Sequence, residues 1–401
     1  MKHQLLSSLM LVALAAPVVA IAADAETMSM SEKPGAVLGG LPFDHTGHID
    51  IGYTSLNGSG RFINNLNNRV FDFDRNAVNL QAFDLTLSKL PENGFGGLVN
   101  FTMGKDADTI AAYGTIDKKR GPANGVNKKF DVTQAYAHYA TGPLMVIAGK
   151  YVTLAGAEVI KSPSNVNYSR SILFGYAIPF THTGVRGTYK LSDALSLTAG
   201  VNNGWDDFSD TNGDKTIELG LSWTPNKSFA LAAQGYTGKE QLNNYACAPA
   251  SACVSTQKGT RNLVDLVATY NATEQLTLVL NYDYGSQANA TLLNSSTGTA
   301  KWSGWAGYAN YQINDLWRVS LRGEYFDDKD AYRTGAVELG KTSGQKWKEA
   351  TATVAYMPTK SVELRAEVRG DRSDQAVFLA TNGITQKSKQ SSLGLEAIYK
   401  F

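Results

Sequence analysis

Apolar and polar residues alternate along most of this chain. Leu195, Leu197, Ala199 and Val201 are interleaved with Ser196, Thr198, Gly200 and Asn202. Leu276, Leu278, Leu280, Tyr282 and Tyr284 frame Thr277, Asn281 and Asp283, and Val362, Leu364, Ala366 and Val368 frame Glu363, Arg365, Glu367 and Arg369. A period of two puts every second side chain on one face, so each segment reads as a strand with one apolar and one polar side. The same reading along the chain predicts sixteen strands, near residues 48–56, 77–89, 95–105, 130–140, 144–153, 180–190, 195–203, 215–223, 229–238, 261–270, 276–285, 301–311, 317–326, 346–357, 362–371 and 388–401. A length of about ten residues suits a tilted membrane-spanning strand better than the roughly five or six of a soluble sheet.

The connections alternate as well. Segments 90–94, 141–143, 191–194, 224–228, 271–275, 312–316 and 358–361 are short, and those between them (57–76, 106–129, 154–179, 204–214, 239–260, 286–300, 327–345, 372–387) are long. Tight turns on one rim and long loops on the other are expected of an outer-membrane barrel, whose short rim faces the periplasm and, for an even strand count, holds both termini. A soluble β-sandwich imposes no such rhythm, and no fixed internal period points to a solenoid or propeller. The expected fold class is all-β, a transmembrane antiparallel β-barrel, with sixteen strands preferred over fourteen or eighteen. In the last strand Leu393, Leu395, Ala397, Tyr399 and Phe401 share a face opposite Glu396 and Lys400. A terminal aromatic after an alternating strand is similar to the signal read by the barrel assembly machinery of the outer membrane.

Composition sharpens the picture. Lys plus Arg number 37 and Asp plus Glu 36, a formal charge of +1, so no nucleic-acid partner is expected. Tyrosines (19) outnumber phenylalanines (15), and their positions explain why. Tyr189, Trp223, Tyr270, Tyr311, Tyr356 and Tyr399 precede short turns or the C-terminus and predict one interfacial girdle. Tyr53, Tyr151, Tyr284 and Tyr325, at the opposite strand ends, predict the other.

Charges fall on the opposite faces. Asp50, Asp84, Lys150, Arg186, Lys190, Glu218, Asp265, Asp283, Arg318, Arg322, Glu324, Glu363, Arg365, Glu367, Arg369, Glu396 and Lys400 are expected inward, eight positive and nine negative. Arg or Lys on the lipid face costs about 2–4 kcal/mol at mid-membrane, so these groups must face water or one another. Near-cancelling signs predict weak ion selectivity. The densest cluster, Arg318, Arg322, Arg365 and Arg369 with Glu324, Glu363 and Glu367, allows two readings: a positive strip that attracts anions, or a ladder of ion pairs that stiffens the wall.

Residues 1–22 read as a secretory leader: Lys2 and His3 precede an apolar core from Leu5 to Ile21, and Ala20-Ile21-Ala22 offers a cleavage site. Residues 23–47 then form a polar linker and 48–401 the barrel. Cys247 and Cys253 share one long loop in an oxidising compartment, where a local disulfide is expected. Asp210-Thr211-Asn212-Gly213-Asp214 has acidic calcium-loop spacing without the glycine and glutamate that complete an EF-hand, and reads as a solvated tip. No hydrolase, zincin or nucleotide fingerprint is present, so no enzyme, metal or cofactor is expected.

Particular residues carry a family resemblance. Gly149-Lys150-Tyr151, Gly156-Ala157-Glu158-Val159-Ile160, Asn167-Tyr168-Ser169-Arg170-Ser171, Pro179 to Val185 and Asn203-Gly204-Trp205-Asp206 resemble the OmpL-like β-barrel porins. Arg69-Val70-Phe71-Asp72, Gly94-Phe95-Gly96 and Gly104-Lys105-Asp106-Ala107 do so too, the specific match covering residues 66 to 223. The resemblance implies a Gram-negative outer-membrane porin. By analogy with general sixteen-stranded porins, the loop 154–179 is expected to fold inward as a constriction carrying Glu158, Lys161 and Arg170, with Ile172-Leu173-Phe174 against a dry wall.

The expected function is a water-filled channel for passive diffusion of small hydrophilic solutes, lined by Lys150, Arg186, Arg318, Arg322, Glu324, Glu363, Arg365, Glu367 and Arg369. A substrate-selective channel and a barrel displaying loops for surface contact are the alternatives. Expected partners are outer-membrane lipid and lipopolysaccharide, the assembly machinery through Phe401, and further copies in a homotrimer.

Overall fold

The computed structural model describes residues 43–401 except 65, 114–128, 211, 244–253, 294–295 and 339. The leader 1–22, most of the linker, and both Cys247 and Cys253 lie outside the described residues. The strands are β1 (Asp44–Leu56), β2 (Ala77–Lys89), β3 (Gly94–Met103), β4 (Phe130–Thr141), β5 (Leu144–Val152), β6 (Thr181–Ser192), β7 (Leu195–Asn202) and β8 (Thr216–Asn226). They continue as β9 (Phe229–Asn243), β10 (Val254–Asn271), β11 (Leu276–Thr291), β12 (Thr297–Asn314), β13 (Trp317–Asp328), β14 (Gln345–Thr359), β15 (Val362–Ser373) and β16 (Lys389–Lys400). Each pairs antiparallel with its neighbours, and β1 joins β16 from His48↔Lys400 to Leu56↔Ser392, closing a barrel of sixteen strands. Closure leaves no strand edge in the sheet, which is what allows strands to cross a bilayer.

The first strand starts at Asp44, so the last four residues assigned to the linker are wall. At the seam the Gly47 and Phe401 backbones exchange hydrogen bonds of 2.8 and 3.0 Å. A Cβ on Gly47 would meet the Phe401 ring at 2.6 Å, so a glycine is what lets the terminal aromatic lie against the closing strand.

Alternation is read correctly along the lipid-facing side: Leu197, Val201, Leu219, Leu266, Leu280, Leu321, Val368 and Leu395 are all exposed. Tyr189, Trp223, Tyr270, Tyr311 and Tyr399 are exposed near the tight-turn rim, as a girdle requires. Tyr151 departs from the expectation. It is buried, with the Arg186 guanidinium 4.1 Å above its ring and His182 beside it. Tyr151 continues the inward row of Ile147 and Gly149, opposite Arg186, Gly184 and His182 with no register shift, and it is Lys150, next to Gly149 with its φ of 140°, that is buried out of alternation. Lys190, expected inward, pairs with Asp193 across an exposed turn.

The short–long rhythm breaks at one place. Strands β9 to β12 reach 15, 18, 16 and 18 residues and convert much of the expected loops 239–260 and 286–300 into sheet. Their outer ends carry polar rungs on the outward face: Thr237 donates to Asn262 at 2.8 Å, and Asn262 to Ser286 at 3.3 Å. Beyond the lipid neither face needs to be apolar, so hydropathy falls silent while backbone pairing continues. A short helix, α1 (Lys105–Ile110), also escaped prediction inside the loop after β3.

The orientation has a direct test. Leu280→Arg puts a charge on the lipid-facing side of β11 and is expected to cost about 2–4 kcal/mol. Urea titration of the protein folded into vesicles measures it.

Candidate functional site

The long loop between β5 and β6, residues 153–180, runs along the inner wall and is fastened at both flanks and along its length. Its base is closed by Thr153 N–H donating to the Phe180 carbonyl at 2.9 Å. An irregular segment at membrane depth must find partners for its backbone groups within the protein. The inward side chains supply them. Glu367 on β15 accepts the Tyr168 and Ser169 N–H groups at 2.8 and 3.0 Å. Glu324 on β13 accepts the Ile172 N–H at 2.8 Å and that of Leu173 at 3.3 Å, at the start of a π-helical turn, Leu173–Ala177. Arg365 donates to the carbonyls of Asn165 (2.6 Å), Ser162 (3.2 Å) and Asn167 (3.2 Å). Arg369 donates to the Arg170 carbonyl at 2.6 Å, and Arg322 to that of Ser169 at 2.7 Å.

The loop's side chains reach other strands. Tyr168 crosses to β1 and β2, where its hydroxyl meets Thr54 and Gln81, each at 3.1 Å. The side chain lies over Gly52 and Gly394; a Cβ on Gly52 would meet its hydroxyl at 2.5 Å and one on Gly394 its ring at 2.5 Å. Those two glycines form a slot that alternation does not mark. Ser162 donates to Asp50 at 2.5 Å, and Ala157 N–H to Asn281 on β11 at 3.1 Å. The apolar stretch has its dry wall: Ile172, Leu173 and Phe174 join a buried cluster with Phe71, Trp302 and Phe326. Trp302 also donates to the Ala177 carbonyl at 3.0 Å.

Among the loop residues singled out from sequence, Glu158 pairs with Arg322 at 2.7 Å and accepts the Ser171 N–H at 2.6 Å. Lys161 reaches Thr86 at 3.0 Å and lies 3.8 Å from Asp84. Arg170 turns back on its own loop, donating to the Val159, Tyr168 and Ile160 carbonyls, and packs over Phe71.

The wall residues fall into two groups. Arg318, Arg322, Glu324, Glu363, Arg365, Glu367 and Arg369 form one lattice with the loop. Arg318 and Arg365 share Glu363 at 2.6 and 2.8 Å, Arg365 also holds Glu396 at 2.9 Å, and Arg322 holds Glu349 at 3.1 Å. Arg369 pairs with Asp371 at 2.8 Å, and that aspartate is shared with Arg69 at 2.7 Å. Lys150 and Arg186 stand apart. Lys150 is buried against Asp131 at 3.0 Å, and Arg186 against Glu218 at 2.7 Å. Arg322, Arg365 and Arg369 are sealed, so the reading of the four arginines as an open positive strip does not describe them: their charge is spent on carboxylates and loop carbonyls. At the acidic tip, Asp210 pairs with Lys215 and Asp214 with Lys258.

Beneath the loop, Asp106 of α1 is buried with one carboxyl oxygen lacking a partner. Burial pushes its carboxyl up to about 8, although the Arg170 guanidinium opposes the shift.

A closed barrel with an aromatic girdle and a loop built into its inner wall defines an outer-membrane channel. The family model described as "Putative beta-barrel porin-2, OmpL-like" matches residues 42–401, and the chain belongs to that family. It is an outer-membrane porin, a channel for passive diffusion of solutes. Solved structures share the fold. The outer membrane channel DcaP of Acinetobacter baumannii is 15% identical, with 92% of this chain and 100% of that one covered and a TM-score of 0.62. An anion-selective porin from Comamonas acidovorans is 11% identical over 90% and 99%, with a TM-score of 0.59. The trimer form of OmpT, from Vibrio cholerae, is 13% identical over 90% and 99%, with a TM-score of 0.58. No curated protein matches the sequence.

Two outcomes are expected. Glu367→Ala strips the acceptor from two buried N–H groups, each worth about 1–3 kcal/mol, and should release the loop to protease added from the long-loop side. Limited proteolysis, with the heat-modifiable gel shift as control for an intact barrel, reads this. Asp106 favours its neutral form in the fold, against about 3.9 in the unfolded chain. Its contribution is therefore fully present below about pH 4 and is lost as pH rises towards 8. Asp106→Asn should melt level with the parent at pH 4 and several degrees above it at pH 8.5.

Proposed function

We propose that the loop 153–180 sets the narrowest section of the pore, with Glu158, Lys161 and Arg170 as its constriction residues. The inward residues Lys150, Arg186, Arg318, Arg322, Glu324, Glu363, Arg365, Glu367 and Arg369 are then the pore wall, with Arg322, Glu324, Arg365, Glu367 and Arg369 carrying the loop and Lys150 and Arg186 standing apart from it. The observation behind this reading is the double fastening: Glu324, Arg365 and Glu367 grip the loop backbone on β13 and β15, while Tyr168 and Ser162 bind β1 and β2. A loop so held cannot swing clear without breaking a buried lattice, and breaking one buried pair typically costs about 3–5 kcal/mol. The pore works without a catalytic step or cofactor. Solutes move down their gradient, sorted by size and charge.

The protein is exported on the leader 1–22, sits in the lipid and lipopolysaccharide of the outer membrane, and is handed to the assembly machinery through Phe401. It works as a homotrimer, a form recorded for the OmpT structure. A disulfide between Cys247 and Cys253 staples their loop, which thiol titration of the unreduced protein tests. Deleting residues 160–172 should raise the single-channel conductance in planar bilayers. An unchanged conductance removes the constriction role.

A further inference from the structure

Resting on the channel reading above, we infer that Arg318 and Lys400 form a binding site for small oxyanions, carboxylates or phosphates, at the tight-turn side of the loop. Glu363 is addressed by three cations: Arg318 at 2.6 Å and Arg365 at 2.8 Å on one oxygen, and Lys400 at 3.8 Å from the other. Arg365 has a second carboxylate, Glu396, at 2.9 Å. Arg318 and Lys400 have Glu363 as their ion-pair partner in the described structure, and the Arg318 Nε is buried with no acceptor.

Exposure decides what a solute meets. The side chains of Arg318 and Lys400 are 16% and 35% exposed, against 2% for Glu363. Along these strands the inward carboxylates Asp50, Asp84, Glu349, Glu363, Glu367 and Glu396 are all between 1% and 5% exposed. Arg322, Arg365 and Arg369 are sealed as deeply, so what a solute meets on this part of the wall is the exposed part of Arg318 and Lys400. The rim residue Asp44, four positions along β1 from His48, is the exposed inward acid here. Arg318 and Lys400 converge on the two oxygens of the one Glu363 carboxylate, which puts a small oxyanion beside it within reach of both heads. Ala355 occupies the β14 position between Arg318 and Arg365, and its small side chain is what leaves Arg318 room to reach across to Glu363. Lys400 pairs across β1 with His48, which pairs with Asp84, where Lys161 hangs from the loop at 3.8 Å. An anion leaving Arg318 and Lys400 thus has its next exposed cation at the loop itself. Guanidinium and ammonium groups held near one another bind carboxylate and phosphate oxygens through charge-assisted hydrogen bonds.

The test uses the purified full-length protein in planar bilayers at pH 8 with potassium chloride. Inorganic phosphate, and acetate in a separate arm, are titrated against the chloride current. The expected result is saturable block by either anion, their ratio assigning the preferred head group. The Arg318→Gln/Lys400→Gln double variant should raise the half-blocking concentration about tenfold while its channels still conduct. Glu363→Gln, which frees both cations, should lower it. An equal half-blocking concentration in parent and double variant overturns the site, as does a conducting parent that neither anion blocks. A folded barrel with no conductance overturns the channel reading itself.

Discussion

The structure depends on one constraint: an irregular loop lies at membrane depth, and its buried backbone groups must be answered by side chains, its own and those of the wall. Regular strands satisfy themselves through their neighbours. The loop 153–180 has no such ladder, and its N–H and C=O groups are met by Glu324, Glu367, Arg322, Arg365 and Arg369. These five sit on β13 and β15, so the register of two strands fixes the path of a loop that begins eight strands away. The barrel and the loop are for that reason a single folding problem.

That demand explains the use of charge. A carboxylate can accept two loop N–H groups at once and a guanidinium can donate to three carbonyls, which no neutral pair of similar size matches. Having been recruited for geometry, the ions must then neutralise one another, and they do so through Glu349, Glu363, Glu396 and Asp371. The sealed arginines are thus structural. The electrostatic character of the passage falls to the minority left at the surface.

How much of this was legible follows the physics of each part. The barrel was readable because lipid imposes a period of two on every strand, and Phe401 with its girdle partners marks a rim by the same demand. The outer ends of β9 to β12 were not, since sheet above the lipid carries polar groups on both faces. Tyr151 was misassigned because the charge of Lys150 marked the even positions of β5 as inward, whereas Ile147, Gly149 and Tyr151 share the inward row opposite Arg186 and His182. Glu158 and Arg170 were singled out through resemblance, but nothing in the sequence pointed to their partners. The slot for Tyr168 joins Gly52 and Gly394, whose proximity exists only once β1 has paired with β16. Signals confined to one segment were visible; those created by closure were not.

The lattice is also asymmetric in what it contributes. Replacing a buried ion pair by apolar residues of similar volume is often neutral or stabilising, whereas removing one partner is strongly costly. Stability alone therefore does not account for so many buried ions on one wall. Position does. An apolar wall would hold the loop's apolar stretch anywhere along its length, as the cluster around Trp302 and Phe326 would if it acted alone. Glu324 at the start of the π-helical turn and Glu367 at Tyr168 each accept from two successive loop N–H groups that converge on one carboxylate, which pins the loop to one register against the strands. A diffusion channel needs that more than it needs added stability, because a loop that slid by one residue would exchange which side chains face the passage.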